Sequence, residues 1–94
     1  MKNVSELMGS ELDYWVSVAC GEDKIIKNIH ETPRYSTDWS LAGPIIEKEG
    51  ICLHIYIVKW EASIIGDKTI CCEASTPLLA AMRCYVTFIL GELV

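Results

Sequence analysis

The chain has 94 residues, 51% of them hydrophobic and 22% charged, with eight Lys+Arg against thirteen Asp+Glu and a formal net charge of -5. That length suits one domain with a thin core, and so apolar a composition excludes a disordered chain. The acidic balance excludes a strongly basic nucleic-acid binder, and no apolar run reaches the ~18 residues of a membrane-spanning helix.

Met1-Lys2-Asn3-Val4-Ser5-Glu6 offers one lysine followed by polar residues, which does not read as a secretion signal. The expected location is therefore the cytoplasm. The five cysteines, Cys20, Cys52, Cys71, Cys72 and Cys84, are odd in number. They are expected to be reduced and to pack as small hydrophobes.

Ser5-Glu6-Leu7-Met8 reads as a separate turn broken by Gly9. A helix is predicted to open at Ser10, with Ser10 as its cap and Asp13 reaching back as in a capping box. Leu12, Trp15, Val16 and Ala19 then share one helical face, and Gly21 ends the helix. From Glu22 to Thr37 the periodicity is lost, and Pro33 forbids a regular element. This stretch is expected to be a surface connection over which Ile25, Ile26 and Ile29 pack loosely. Asp38 is the predicted N-cap of a second helix, with Trp39 plugging the core. Gly43-Pro44 interrupts that helix, so a short, kinked segment ending at Gly50 is expected.

Ile51 to Val58 alternates, with Ile51, Leu53, Ile55 and Ile57 on one side and Cys52, His54, Tyr56 and Val58 on the other. Both faces of this strand are expected to be covered. Trp60, Ala62 and Ile64 start a second strand, although no turn residues separate the two near Lys59. Gly66-Asp67 signals the next turn, and Thr69 to Ala74 forms a third strand.

Thr76-Pro77 opens a last helix with a cap and a first-turn proline. Leu78, Leu79, Met82, Val86, Ile89 and Leu90 make its main stripe, and Ala80, Ala81, Cys84, Tyr85 and Phe88 fill the other faces. A helix apolar nearly all round is buried on more than one side. The second side is expected to meet another copy of the chain through Ala81, Cys84, Tyr85 and Phe88, giving a homodimer. Arg83, alone on this helix, is expected to pair with Asp13 or Asp38. Residues 1–94 thus read as a single α+β domain: a three-stranded antiparallel sheet, an N-terminal helix, a short kinked helix and a long C-terminal helix.

Three blocks carry a resemblance. Leu12-Asp13-Tyr14-Trp15-Val16 with Ala19 and Gly21 is the first, and Tyr35-Ser36-Thr37-Asp38-Trp39 running into Gly43-Pro44-Ile45-Ile46-Glu47 is the second. Thr76-Pro77-Leu78 with Ala80-Ala81-Met82-Arg83-Cys84-Tyr85-Val86 is the third, and Trp60-Glu61-Ala62 lies between them. In this order, from Leu12 to Gly91, the chain resembles the NinX-like family of small bacteriophage and prophage proteins. The resemblance implies an accessory product of a phage and brings no catalytic residue with it.

The residues themselves offer little chemistry. Cys52 and His54, with Cys71 or Cys72 across from them, have no standard zinc spacing, so no metal or other cofactor is expected. Neither histidine, His30 or His54, has the flanking signature of a Cys/His nucleophilic pair, and Glu47, Glu49, Glu61 and Glu73 read as solvated acids. The chain is therefore not expected to be an enzyme. Size, acidity, surplus apolar surface and the phage resemblance lead to a binding protein. Its concrete form is inhibition of a host defence complex, an anti-CRISPR-type role. An accessory factor in phage DNA replication or recombination, contacting DNA or its enzymes, is the alternative. Tyr35, Asp38, Trp39, Glu47 and Glu49 are the candidate contacts with a host or phage protein, because Tyr and Trp are favoured at binding hot spots. Neither a membrane nor direct nucleic-acid binding is expected.

Overall fold

A 14-residue helix, α3 (Pro77–Leu90), lies at the centre of the fold. The structure, a computed structural model, describes residues 1–21, 32–66 and 68–94. Ile25, Ile26, Ile29, His30 and Asp67 lie outside the described residues.

Helix α3 begins where the sequence places it. The Thr76 hydroxyl oxygen accepts the Leu79 N–H at 3.1 Å, and Pro77 fills a position whose N–H has no helical acceptor. Its apolar girth is used within the chain. One side packs on the sheet; the other meets α1 (Gly9–Ala19), α2 (Trp39–Glu49) and a 3-10 turn (Val4–Glu6). Ala80, Ala81, Met82, Cys84 and Val86 are wholly buried. Ile89, assigned to the buried stripe, is instead exposed near the helix end.

The sheet runs β1 (Cys52–Tyr56), β2 (Lys59–Ile64), β3 (Ile70–Ala74), antiparallel throughout. Leu53 stands opposite Ala62, which stands opposite Cys72, so these residues share the face that packs on α3. His54, Glu61 and Glu73 form the corresponding row on the outer face. The expected cover over both faces of the first strand is absent beyond Leu53, since His54, Ile55 and Tyr56 are exposed. A strand at the sheet edge, reaching past α3, has no element among the described residues to cover its far half.

Helix α1 starts at Gly9 after Met8, with no side chain capping it. The capping box does not form, because Asp13 turns inward and accepts the Ser36 N–H at 2.8 Å. Helix α2 has the predicted cap: Asp38 Oδ1 accepts from Ser40 N at 2.9 Å and from Ser40 Oγ at 2.6 Å. It runs through Gly43 and Pro44 and ends at Gly50, whose φ of 64° is the left-handed turn that glycine tolerates. Pro44 lacks an N–H for the Ser40 carbonyl, but Ser40 is exposed, so that carbonyl need not be buried without a donor.

The two chain ends pair, which no pattern in the sequence signals. Lys2 N–H donates to the Val94 carbonyl at 2.7 Å, Val94 N–H to the Lys2 carbonyl at 2.9 Å, and Val4 N–H to the Glu92 carbonyl at 2.9 Å. Val4 and Leu7 are thereby held in the core. Among the described residues, no helix is long and apolar enough to cross a membrane.

Candidate interaction surface

The segment before α2 is built by short hydrogen bonds. Tyr35 N–H donates to the Pro33 carbonyl and Asp38 N–H to the Arg34 carbonyl, each at 2.9 Å. Together with the Asp13–Ser36 bond, this winds the chain tightly into the α2 N-terminus and buries Thr32, Tyr35 and Ser36. The expectation of a simple surface connection fails over these residues.

The result separates the predicted contacts. Tyr35 is buried at 6% exposure and cannot meet a partner. Asp38 lies at the surface with its carboxylate occupied by the cap, and those hydrogen bonds from Ser40 hold its pKa below the ordinary carboxylate value. Trp39 is 53% exposed and does not plug the core. It lines a groove of about 270 Å³ with Ser36, Thr37, Thr76, Pro77 and Leu78, where the starts of α2 and α3 meet. Glu47 and the half-buried Glu49 lie at the other end of α2, roughly 12–15 Å from Trp39 at 1.5 Å per residue. These five residues therefore do not form one surface.

The proposed dimer residues are also redistributed. Ala81 and Cys84 are wholly buried and Tyr85 nearly so, all within the protomer's own core, while Phe88 is exposed. Tyr85 packs against the end of α1, its hydroxyl 3.7 Å from Cys20 Sγ, and burial raises its pKa. The apolar girth that suggested a second copy is met by α1, α2 and the N-terminal turn.

Arg83 does not pair with Asp13 or Asp38. Its Nε donates to the Leu7 carbonyl at 2.8 Å and its Nη1 to the Glu73 carbonyl at 3.0 Å. Asp13 is occupied by Ser36, and Asp38 is at the α2 cap. Main-chain carbonyls satisfy the guanidinium instead.

The cysteines divide by face. Cys52 and Cys71 lie in one outer row on either side of Ser63, and Cys72 points the other way, 3.7 Å from Thr87 Oγ1. Among the described residues, no group of three His, Cys, Asp or Glu is placed to hold a metal ion. Cys72 lines a groove of about 230 Å³ with Asn3, Ser5, Cys71, Thr87 and Glu92. A hydrogen bond from the Cys84 thiol, aided by Thr87 and the nearby Arg83 charge, brings the Cys72 pKa down to about 7 against the burial that opposes it.

A surface that the sequence reading missed is the β1–β2 turn. Ile57 and Val58 form its two residues, since Tyr56 pairs with Lys59. Ile57 is fully exposed at 102%, and Ile55, Tyr56 and Val58 stand beside it in solvent. The available signal was the absence of any Gly, Asn or Asp between two alternating runs, which forces apolar residues into the turn.

The family model described as Bacteriophage P22, NinX matches residues 3–88. The chain belongs to this family of phage proteins. The match takes in every described helix and strand except the last two residues of α3, and the blocks that resemble NinX meet in the structure. Asp13 of the first block binds Ser36 of the second, and Tyr85 of the third packs on Cys20 beside the first. No curated protein matches the chain.

Proposed function

We propose that this NinX-family chain is a non-enzymatic phage accessory protein that binds another protein, most concretely to inhibit a host defence complex in an anti-CRISPR-type role. Trp39 carries the proposal. An indole held at a capped helix start, half-exposed above the Pro77–Leu78 groove, supplies the rigid aromatic anchor that concentrates binding energy in protein interfaces. The hydroxyls of Ser36, Thr37 and Thr76 around it provide polar partners for the rim. A net charge of -5 adds attraction toward the basic surfaces of nucleic-acid-handling complexes.

The test places a photocrosslinking amino acid at the exposed Thr37, which lines the same groove and leaves Trp39 in place, in bacteria that carry an active CRISPR defence and measures phage plating on cells expressing the chain. The expected result is one crosslinked component of the defence complex and restored plating. Both should be lost in Trp39→Ala, while its thermal unfolding stays unchanged. Full defence in the presence of folded chain, or salt-sensitive binding to DNA in place of a protein crosslink, overturns the proposal. The second outcome transfers the reading to a DNA replication or recombination factor.

A further inference from the structure

Among the described residues strand β1 is an edge strand, since the order β1-β2-β3 pairs it on one side only. The opposite edge is attended: Asn3 and Ser5 share a groove with Cys71 and Cys72 of β3, and Glu73 is paired with Lys59 at 2.8 Å. Strand β1 lacks the usual devices that keep an edge single. It has no proline, no Lys, Arg, Asp or Glu, and no bulge in its one-to-one register with β2.

Its backbone direction follows from the turn. A two-residue hairpin makes Tyr56 and Lys59 the hydrogen-bonded pair at its mouth. Alternation then turns the N–H and C=O of Cys52, His54 and Tyr56 toward β2, and those of Leu53 and Ile55 toward the open edge. The outward groups are arranged symmetrically about His54.

We propose that β1 is a self-pairing edge, through which two copies of the chain join antiparallel about a two-fold axis at His54 to form one continuous sheet. In this register Leu53 exchanges backbone hydrogen bonds with the partner's Ile55, and Ile55 with the partner's Leu53. Ile51 stands across from the partner's Ile57. The pairing gives neighbours to side chains that one protomer leaves in water, Ile55 at 67% and Ile57 at 102% exposure. A second copy is the occupant because the strand is complementary to itself. Reversed, it sets apolar against apolar. Two chains of net charge -5 approach most easily where neither carries an acid, and β1 is such a stretch. The dimer is independent of the Trp39 reading, so either can stand without the other.

Sedimentation of the full chain over a micromolar to sub-millimolar range tests the proposal. The expected mass rises to twice 10.5 kDa with concentration. Ile55→Pro deletes an outward N–H that β2 does not use, so it should leave circular dichroism unchanged and abolish the dimer. Ile55→Lys, which changes only an exposed side chain, carries the same expectation if the proline variant fails to fold. With Cys52 and Cys71 replaced by serine, His54→Cys should form an intermolecular disulfide, because a wide pair across the axis sets its Cα atoms about 4.5 Å apart. Glu61→Cys, on the central strand, should form none. A chain that stays monomeric throughout overturns the proposal. So does a dimer that survives both Ile55 variants and gives no His54→Cys crosslink.

Discussion

Ser36 donates its backbone N–H to Asp13 Oδ1 at 2.8 Å, joining a loop to a helix 23 residues earlier, with both residues buried. Burial raises the Asp13 pKa above its ordinary 3.8, and the hydrogen bonds of Ser36 and the Arg34 charge only partly oppose it. A carboxyl whose folded pKa is raised binds its proton more tightly folded than unfolded. Its contribution therefore favours folding at low pH and is lost as pH rises from 3.8 through the folded value. Asp13→Asn keeps an oxygen for Ser36 and removes the titration. Urea unfolding across this range should find the variant gaining on the natural chain as pH rises. Parallel stability profiles would refute the assignment. Asp13→Ala, which strands the Ser36 N–H, should cost about 1–3 kcal/mol at all pH values.

Arg83 ties α3 to two distant carbonyls, Leu7 in the N-terminal segment and Glu73 at the end of β3. Arg83→Met keeps the stem and removes both charge-assisted bonds, leaving the carbonyls without donors. The expected loss is about 3 kcal/mol by denaturant unfolding. Arg83→Lys, with a single ammonium in place of a planar fork, should recover only part of it. Hydrogen exchange gives the second readout: the amides around Val4 and Leu7 should lose protection first. A loss below about 0.5 kcal/mol, the scale of ordinary surface substitutions, would show that Arg83 does not brace this corner.

What the sequence disclosed, and what it hid, follows from the range of each interaction. The Asp38 cap and the Thr76-Pro77 helix start are settled within four residues, so they were legible. So was the alternation from Ile51 to Ile64, because period two is written directly in the residue types. The turn inside that alternation was not, because Ile57 and Val58 are β-branched, and every non-glycine among the described residues keeps a negative φ. The primed turns that Gly and Asn announce are not used there. Asp13 and Arg83 were misassigned for another reason. Charge suggests a charged partner, but each found main-chain groups brought near by the fold, and a backbone N–H or carbonyl leaves no mark in the sequence. Trp39 and Tyr35 exchanged roles likewise: two aromatic residues four apart, one buried and one exposed, were sorted by the loop that Asp13 anchors.

Cys72 should be a reactive thiol. Its pKa of about 7 comes first from the hydrogen bond given by Cys84, and it opens into the groove beside Asn3 and Thr87. The same interaction and burial push the Cys84 thiol up, so Cys84 stays protonated and shielded. Site-resolved iodoacetamide labelling, read by mass spectrometry, should show Cys72 modification rising with a midpoint near pH 7 and Cys84 unmodified throughout. In Cys84→Ala the donor is gone, so the Cys72 midpoint should move upward. An unchanged midpoint in that variant would remove Cys84 as the cause.

Ser17 lies one helical turn beyond Asp13, wholly buried, and its hydroxyl has no hydrogen-bond partner among the described residues. The two positions make a contrast on one helix face. Asp13 anchors a loop through its oxygen, whereas the Ser17 oxygen is desolvated for no return. A buried hydroxyl without a partner costs about 1–3 kcal/mol, and alanine also has the higher helix propensity. The space vacated is one oxygen atom, too little for a destabilising cavity. Ser17→Ala should therefore be neutral or stabilising by up to about 1 kcal/mol, whereas Asp13→Ala on the same face is costly. Paired thermal and denaturant melts of the two variants decide it. A loss above about 1 kcal/mol for Ser17→Ala would refute the reading of this hydroxyl as a desolvated, unreturned cost.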